Sequence, residues 1–388
     1  MKVSQRLSHF SSAVFFELNS VRQKLQAQGI EIIDLGIGSP DLPPPDHVRE
    51  ALIQAAGNPA AYGYPTSEGT FAFRQAVADW YDRRFGVSLD PQTEVHALMG
   101  SQDGLAHLAL ALIDPGDYVL VPDPGYPIYA VSIHLAGGKL YPMPLRAENG
   151  FLPDFDAIPR DVAAKAKLMI LNYPNNPVTA TADAAFYELA VAFAKRHEIL
   201  IAHDAAYSEL SFDGYSPISF LEVPGAKEIG VEFHSTSKSF NLAGCRIGFV
   251  VGRADIIEAL HVVKSNIDYG VFLPIQEAAI TALKDDRGHT QRMASIYQKR
   301  RDILLDGLQE AGWTIPKPQA TMFVWAPIPN GIPSRTFAKE LLLRTGVVVV
   351  PGVGFGAEGE GYVRMALVQN EEKLKEVAQR LKESNLFG

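Results

Sequence analysis

The chain has 388 residues, 47% of them hydrophobic and 20% charged, with 35 basic against 44 acidic side chains and a net charge of −9. That length supports a large core and about two or three domains, and an acidic surplus with no basic run argues against nucleic acid or an anionic membrane surface as the main partner. The one cysteine, Cys245, excludes an internal disulfide and fits a reducing cytoplasm, and no Cys/His cluster suggests zinc.

At the N-terminus the apolar run Val14-Phe15-Phe16 is cut off by Glu17, so neither a signal peptide nor a membrane span is read over residues 1–19. From about residue 45 to 285, short apolar runs alternate with helical segments. Strands are predicted at Val95–Met99, Tyr118–Val121, Lys167–Asn172, Ile199–His203, Ile229–His234 and Ile247–Val251, with helices such as Gly104–Ile113 and Ala184–Arg196 between them. This order reads as α/β: a large domain, 45–285, whose mainly parallel sheet is sandwiched by helices.

The remainder differs. A helix near Met293–Ala311, a strand at Thr321–Ala326, a helix near Thr336–Arg344, strands at Val347–Val350 and Tyr362–Val368, and a last helix from Glu371 suggest a smaller α+β domain. Residues 1–44 are expected to complete it alongside 286–388. No repeat, low-complexity tract or long linker is found.

Four polar clusters fall at predicted carboxyl ends of strands, where open α/β sheets bind ligands. They are Gly100-Ser101-Gln102, Asn175-Asn176, Asp204 with Tyr207, and Ser235-Thr236-Ser237-Lys238 with Arg246 eight residues on. The last is the most informative. A lysine held between buried strands loses solvation and gains nucleophilicity toward a carbonyl, while the hydroxyls and guanidinium can hold a phosphate. An aldehyde that carries a phosphate satisfies both, and pyridoxal 5′-phosphate is the common one.

Each cluster also has an ordinary reading. Ser101 can be a helix cap after a strand–helix turn, Asp204 an N-cap or a loop ion pair, Ser235 to Lys238 an ordinary strand–turn–strand with a surface lysine, and Tyr126 in Asp123-Pro-Gly-Tyr-Pro127 a packed turn residue. Arg364 lies mid-strand in an apolar run and needs a partner; a substrate carboxylate and a structural ion pair are equal candidates. The glycine-rich stretches Leu35–Pro40 and Pro351–Gly356 lack the G-x-G-x-x-G arrangement between strand and helix, so a nucleotide site is not expected.

Taken in order, Tyr64 with Gly69, Gly100-Ser101-Gln102, Tyr126, Asn172-Tyr-Pro-Asn-Asn-Pro177, Asp204-x-x-Tyr207, Ser235-x-Ser-Lys238 with Arg246, and Arg364 resemble the fold-type I pyridoxal-phosphate aminotransferases of class I/II over nearly the whole length. The resemblance implies a transferase that moves an amino group from an L-amino acid to a 2-oxo acid by a ping-pong route. It implies that Lys238 bonds the cofactor aldehyde and then carries a proton between substrate Cα and cofactor C4′. Asp204 would pair with the pyridine nitrogen, Asn176 and Tyr207 would bind the phenolate oxygen, and Tyr126 would stack on the ring. Ser101, Gln102, Ser235, Ser237 and Arg246 would surround the phosphate, joined by Tyr64 across a homodimer interface. Arg364, the Gly38 backbone and Asn176 would hold the substrate α-carboxylate.

Two departures stand out. The family's Asn-Pro-Thr-Gly reads Asn176-Pro177-Val178-Thr179, and Cys245 stands where many relatives have tryptophan. Within the family the likeness runs to LL-diaminopimelate aminotransferases and a methionine-forming aminotransferase of methionine salvage. It is carried by Leu35–Pro40, Phe212-Asp213-Gly214, Asn266–Gly270 and Pro351–Gly361. Dicarboxylate-specific relatives place an arginine in the region matching Asn266 to Phe272, and none occurs here, so aspartate is not the expected donor. A carbon–sulfur β-lyase on the same scaffold is the alternative reading. A cofactor-sensing regulator would need an added DNA-binding module and a basic surface.

Overall fold

The computed structural model describes residues 13–384 together with Ser4, Arg6, Leu7, Leu386 and Phe387, and for 13–19 and Asn330 the backbone alone. Of residues 1–19, for which neither a signal peptide nor a membrane span is read, all but Ser4, Arg6, Leu7 and the backbone of 13–19 lie outside the described residues.

Among the described residues, twelve strands form three sheets. In chain order they are β1 Ile33–Asp34, β2 Val95–Leu98, β3 Tyr118–Asp123, β4 Lys139–Pro144, β5 Ala166–Asn172, β6 Leu200–Asp204, β7 Gly230–Ser235, β8 Gly248–Gly252, β9 Phe323–Pro327, β10 Val347–Val348, β11 Val350–Pro351 and β12 Tyr362–Ala366. The main sheet has seven strands in the order β2-β8-β7-β6-β5-β3-β4. It is parallel from β7 to β4; β8 alone runs against both of its neighbours. The fold is thus α/β with a mainly parallel sheet, as expected. The central strands are buried along almost their whole length because helices cover both faces.

The six predicted strands and the named helices appear with ends that match or shift by at most four residues. β4 was not expected. It carries Lys139 and two prolines, which suit only an edge strand, where one row of hydrogen-bonding groups faces outward. The predicted run Val347–Val350 divides in two: β10 pairs in parallel with β1, while β11 joins β12 and β9 in a three-stranded antiparallel sheet. An apolar run cannot show in sequence that consecutive residues serve different sheets.

Two clusters of buried side chains flank the main sheet, one on Phe73, Tyr81, Met169 and Phe249, the other on Leu105, Ile133, Ile170 and Phe233. A separate core gathers Ile33, Leu35, Tyr297, Phe323, Phe337, Val363 and Leu374 around the smaller sheet. Among the described residues no helix is long and apolar enough to cross a membrane.

Candidate active site

The carboxyl ends of β5, β6 and β7 converge on a cleft of about 250 Å³ lined by Gly38, Ser101, Gln102, Tyr126, Asn176, Asp204, Tyr207, Ser235, Ser237, Lys238, Arg246 and Arg364. These are all of the predicted site residues but Tyr64, which is 89% exposed with its ring 5.0 Å from that of Tyr269. A larger cavity of about 660 Å³, between Arg84, Glu209, Asp213 and Gln298, holds none of them. Chemistry follows the side chains rather than the volume.

Lys238 sits in the short helix Thr236–Ser239 that β7 feeds directly, with Ser235 as its cap. Its Nζ donates to the Gly38 carbonyl at 2.6 Å. Burial, then the guanidinium groups of Arg364 and Arg246, pull the amine down to about 8. An amine so depressed is neutral in a useful fraction near neutral pH, as a nucleophile or proton carrier must be.

Asp204 closes β6 and is 4% exposed. Burial pushes its carboxyl up, opposed first by the Tyr129 hydroxyl, which donates to Oδ2 at 2.8 Å, and also by Ala206 N at 3.3 Å. A cationic ring nitrogen in the cleft would add the strong charge-assisted partner that none of the described residues gives this carboxylate. Asn172, the last residue of β5, donates to the Asp204 carbonyl at 2.7 Å and accepts from Asn176 N at 2.9 Å, so one side chain ties two strand ends together. Tyr126 donates to Gln102 Oε1 at 2.9 Å.

The opposite end of the cleft suits a phosphate. Gly100, at φ +84°, opens the helix Ser101–Leu112, whose first N–H groups favour an anion. A Cβ on Gly100 would lie 2.5 Å from Arg246 Nη2, so only glycine lets the guanidinium close in. Among the described residues Arg246 makes only long hydrogen bonds, to Ala243 O at 3.4 Å and Met99 O at 3.5 Å. Ser237 Oγ is buried without a hydrogen-bond partner among the described residues. An orphaned hydroxyl and a loosely held guanidinium at a helix start are the donor set a phosphate ester needs, so these residues fit pyridoxal 5′-phosphate. When bound, that group supplies an aldehyde for the lysine and a ring that takes up the electron pair left at substrate Cα.

Arg364 enters from β12. Its Nη1 donates to Asn176 Oδ1 and its Nη2 to Gly36 O, each at 2.8 Å, and its guanidinium lies 4.1 Å from the centre of the Phe323 ring and 4.7 Å from that of Phe355. Burial brings it down to about 10. Among the described residues no carboxylate pairs with it, which removes the structural ion pair weighed from sequence. Gly38 is fixed by the same packing, since a Cβ there would meet Phe323 Cζ at 2.4 Å.

Sequence reasoning missed Tyr129 and Phe323 and gave Asn172 no role. Tyr129 lies three residues past Tyr126, in the first turn of the helix Ile128–Ala136, and that closeness is its one signal. Phe323 has none: it is one apolar residue in an apolar strand. Asn266 and Asp268, in the region where dicarboxylate-specific relatives place an arginine, are taken up within the chain. Asn266 donates to Val262 O at 2.8 Å, and Asp268 accepts from Lys264.

A family model for aminotransferase class I and II matches residues 30–381. LL-diaminopimelate aminotransferases from Moorella thermoacetica and Syntrophobacter fumaroxidans are 50% and 51% identical to this chain, in both cases over 98% of each chain. Among solved structures, substrate-bound BacF from Bacillus subtilis superimposes with a TM-score of 0.95 at 43% identity, covering 100% of this chain and 99% of that one. The chain belongs to the class I and II aminotransferases, enzymes that work with pyridoxal 5′-phosphate.

Proposed function

We propose that this aminotransferase takes LL-diaminopimelate as its amino donor and passes the amine to a 2-oxo acid. The observation that carries an amino-acid substrate is Arg364: a buried guanidinium braced by Asn176 and Gly36, free of any carboxylate among the described residues, and in the cleft that holds Lys238. The choice among amino acids is supported by the names of relatives at about half identity over nearly the full length. It is also supported by the lack of any arginine from Asn266 to Phe272.

In this reading Lys238 holds the cofactor and moves the proton at substrate Cα. Asp204 pairs with the ring nitrogen, and Asn176 and Tyr207 bind the ring oxygen, while Tyr126 stacks on the ring. Ser101, Gln102, Ser235, Ser237 and Arg246 cradle the phosphate, and Arg364 with the Gly38 backbone and Asn176 takes the α-carboxylate. We propose a homodimer in which Tyr64 completes the phosphate site of the neighbouring protomer. The patch of exposed Tyr62, Tyr64, Ile267, Tyr269 and Phe272 supports such a contact. The chain is read as two lobes, 45–285 and 1–44 with 286–388, which the separate cores support, and as a cytoplasmic protein, which the single free Cys245 supports.

A single-turnover half-reaction tests the substrate. The holoenzyme is mixed, without an acceptor, with LL-diaminopimelate, methionine, phenylalanine, tyrosine, alanine, glutamate or aspartate, and conversion of the cofactor to its amine form is followed by absorbance. LL-diaminopimelate is expected to be fastest. A kcat/KM for aspartate above those for methionine, phenylalanine and LL-diaminopimelate overturns the assignment, as does pyruvate with ammonia released from cystathionine as the main activity.

A further inference from the structure

Lys264 is 1% exposed, an unusual place for an ammonium unless it is fully paired. It stands in the last turn of the helix Ala254–Ile267, and its Nζ donates to Asp103 Oδ2 at 2.5 Å and to Asp268 Oδ2 at 2.9 Å. Asp103 lies in the first turn of the helix Ser101–Leu112, two residues past Ser101. The same Oδ2 accepts from Met99 N at 3.0 Å, fastening the turn that brings Gly100 against Arg246. His107 Nδ1 stands 2.8 Å from Asp103 Oδ1. Burial raises the Asp103 carboxyl, but His107 and Lys264 outweigh it and hold the group well below the usual carboxylate range. Asp103, His107 and Asp268 are spaced as metal ligands would be, yet the lysine amine already pairs with both carboxylates.

The other arm of the ammonium reaches a different structure. Asp268 begins the loop in which the Tyr269 ring lies 5.0 Å from Tyr64 and the Phe272 ring 5.4 Å from Tyr62. Gly270 sits so close to this segment that a Cβ would come 1.9 Å from Thr66 O. One buried amine therefore joins the start of the phosphate-facing helix to the loop that supports Tyr64.

We propose that Lys264 is a positioning residue for the cofactor phosphate. Through Asp103 it fixes the chain's own phosphate cup, and through Asp268 it fixes the Tyr64 segment offered to the neighbouring protomer. Lys264 is not among the cleft-lining residues. The second arm rests on the shared-site dimer proposed above.

The test compares release of pyridoxal 5′-phosphate from the full-length holoenzyme after dilution with release of pyridoxal from the same enzyme reloaded with the phosphate-free aldehyde. Lys264→Met, Asp103→Asn and Asp268→Asn are each expected to speed release of the phosphorylated aldehyde about tenfold, while release of pyridoxal changes less than about twofold. Equal acceleration for both aldehydes, or none for either, overturns the proposal, since general loosening does not distinguish them. Asp103→Asn and Asp268→Asn keep the side-chain shape and carry the test where Lys264→Met does not fold. Sedimentation velocity reads the dimer separately. A monomeric wild type overturns the shared site and the Asp268 arm with it, whereas the Asp103 arm stands or falls on the release rates.

Discussion

The Tyr129 hydroxyl donates to Oδ2 of Asp204 at 2.8 Å, a buried bond between two residues that line the cleft. Both residues are buried, and this bond is the first of the influences that offset the desolvation of the carboxylate. Tyr129→Phe removes it, so the Asp204 carboxyl rises further and pairs less well with a ring cation. A hydrogen bond to a charged group is worth about 1.5–3 kcal/mol, so kcat/KM should fall tenfold or more while the cleft keeps its shape. Unchanged kinetics in Tyr129→Phe would remove Asp204 from its proposed role or the bond from importance.

Lys238→Ala is expected to abolish turnover while the cup of Ser101, Ser235, Ser237 and Arg246 keeps some affinity for the cofactor. Retained steady-state transamination in this variant would overturn the assignment of Lys238.

The depressed amine sets a pH dependence. In the cofactor-free protein, Lys238 loses its proton near pH 8 instead of its ordinary 10.5. Capture of an aldehyde should therefore speed up as pH rises toward about 8 and level off above it. The unfolded chain keeps that proton to higher pH, so this group's penalty on folding is fully present below about 8 and is relieved as pH climbs toward 10.5. A capture rate still climbing steeply between pH 9 and 10, as for an ordinary lysine of pKa about 10.4, would show that the amine is not depressed.

Arg364→Lys retains a charge but loses the planar fork braced by Asn176 and Gly36 and its packing on Phe323. KM for the amino donor is expected to rise about tenfold to a hundredfold, the loss of one charge-assisted hydrogen bond of about 1.5–3 kcal/mol. Steady-state kinetics with LL-diaminopimelate checks it; an unchanged KM would place the α-carboxylate elsewhere.

Thr179 stands where the family motif has glycine, and it adopts φ +63°, which a β-branched side chain rarely does. The left-handed conformation costs about 1–2 kcal/mol for an ordinary residue, and glycine returns part of that gain through its freer unfolded state. Thr179→Gly should raise Tm by a degree or two with little change in kinetics, since Thr179 is outside the cleft. A lower Tm in a thermal scan would mean that the threonine side chain contributes more than the strain it imposes.

The alternation of short apolar runs with helical segments determined the α/β class and six of the seven main-sheet strands, because burial on both faces demands near-continuous apolar sequence. The polar clusters at strand ends were equally legible: Ser101, Asn176, Asp204 and Lys238 lie far apart in the chain, yet a parallel sheet gathers its carboxyl ends on one side. Only the tertiary structure decided what surrounds them. Tyr129 beneath Asp204, Phe323 against Arg364 and Lys264 between Asp103 and Asp268 are each unremarkable in sequence, a tyrosine, a phenylalanine and a lysine in helices or strands that need such residues anyway. Their importance comes from which groups they touch across 75, 41 and 161 positions of chain. Periodicity reports which way a residue faces along its own element; packing between elements decides what it meets there.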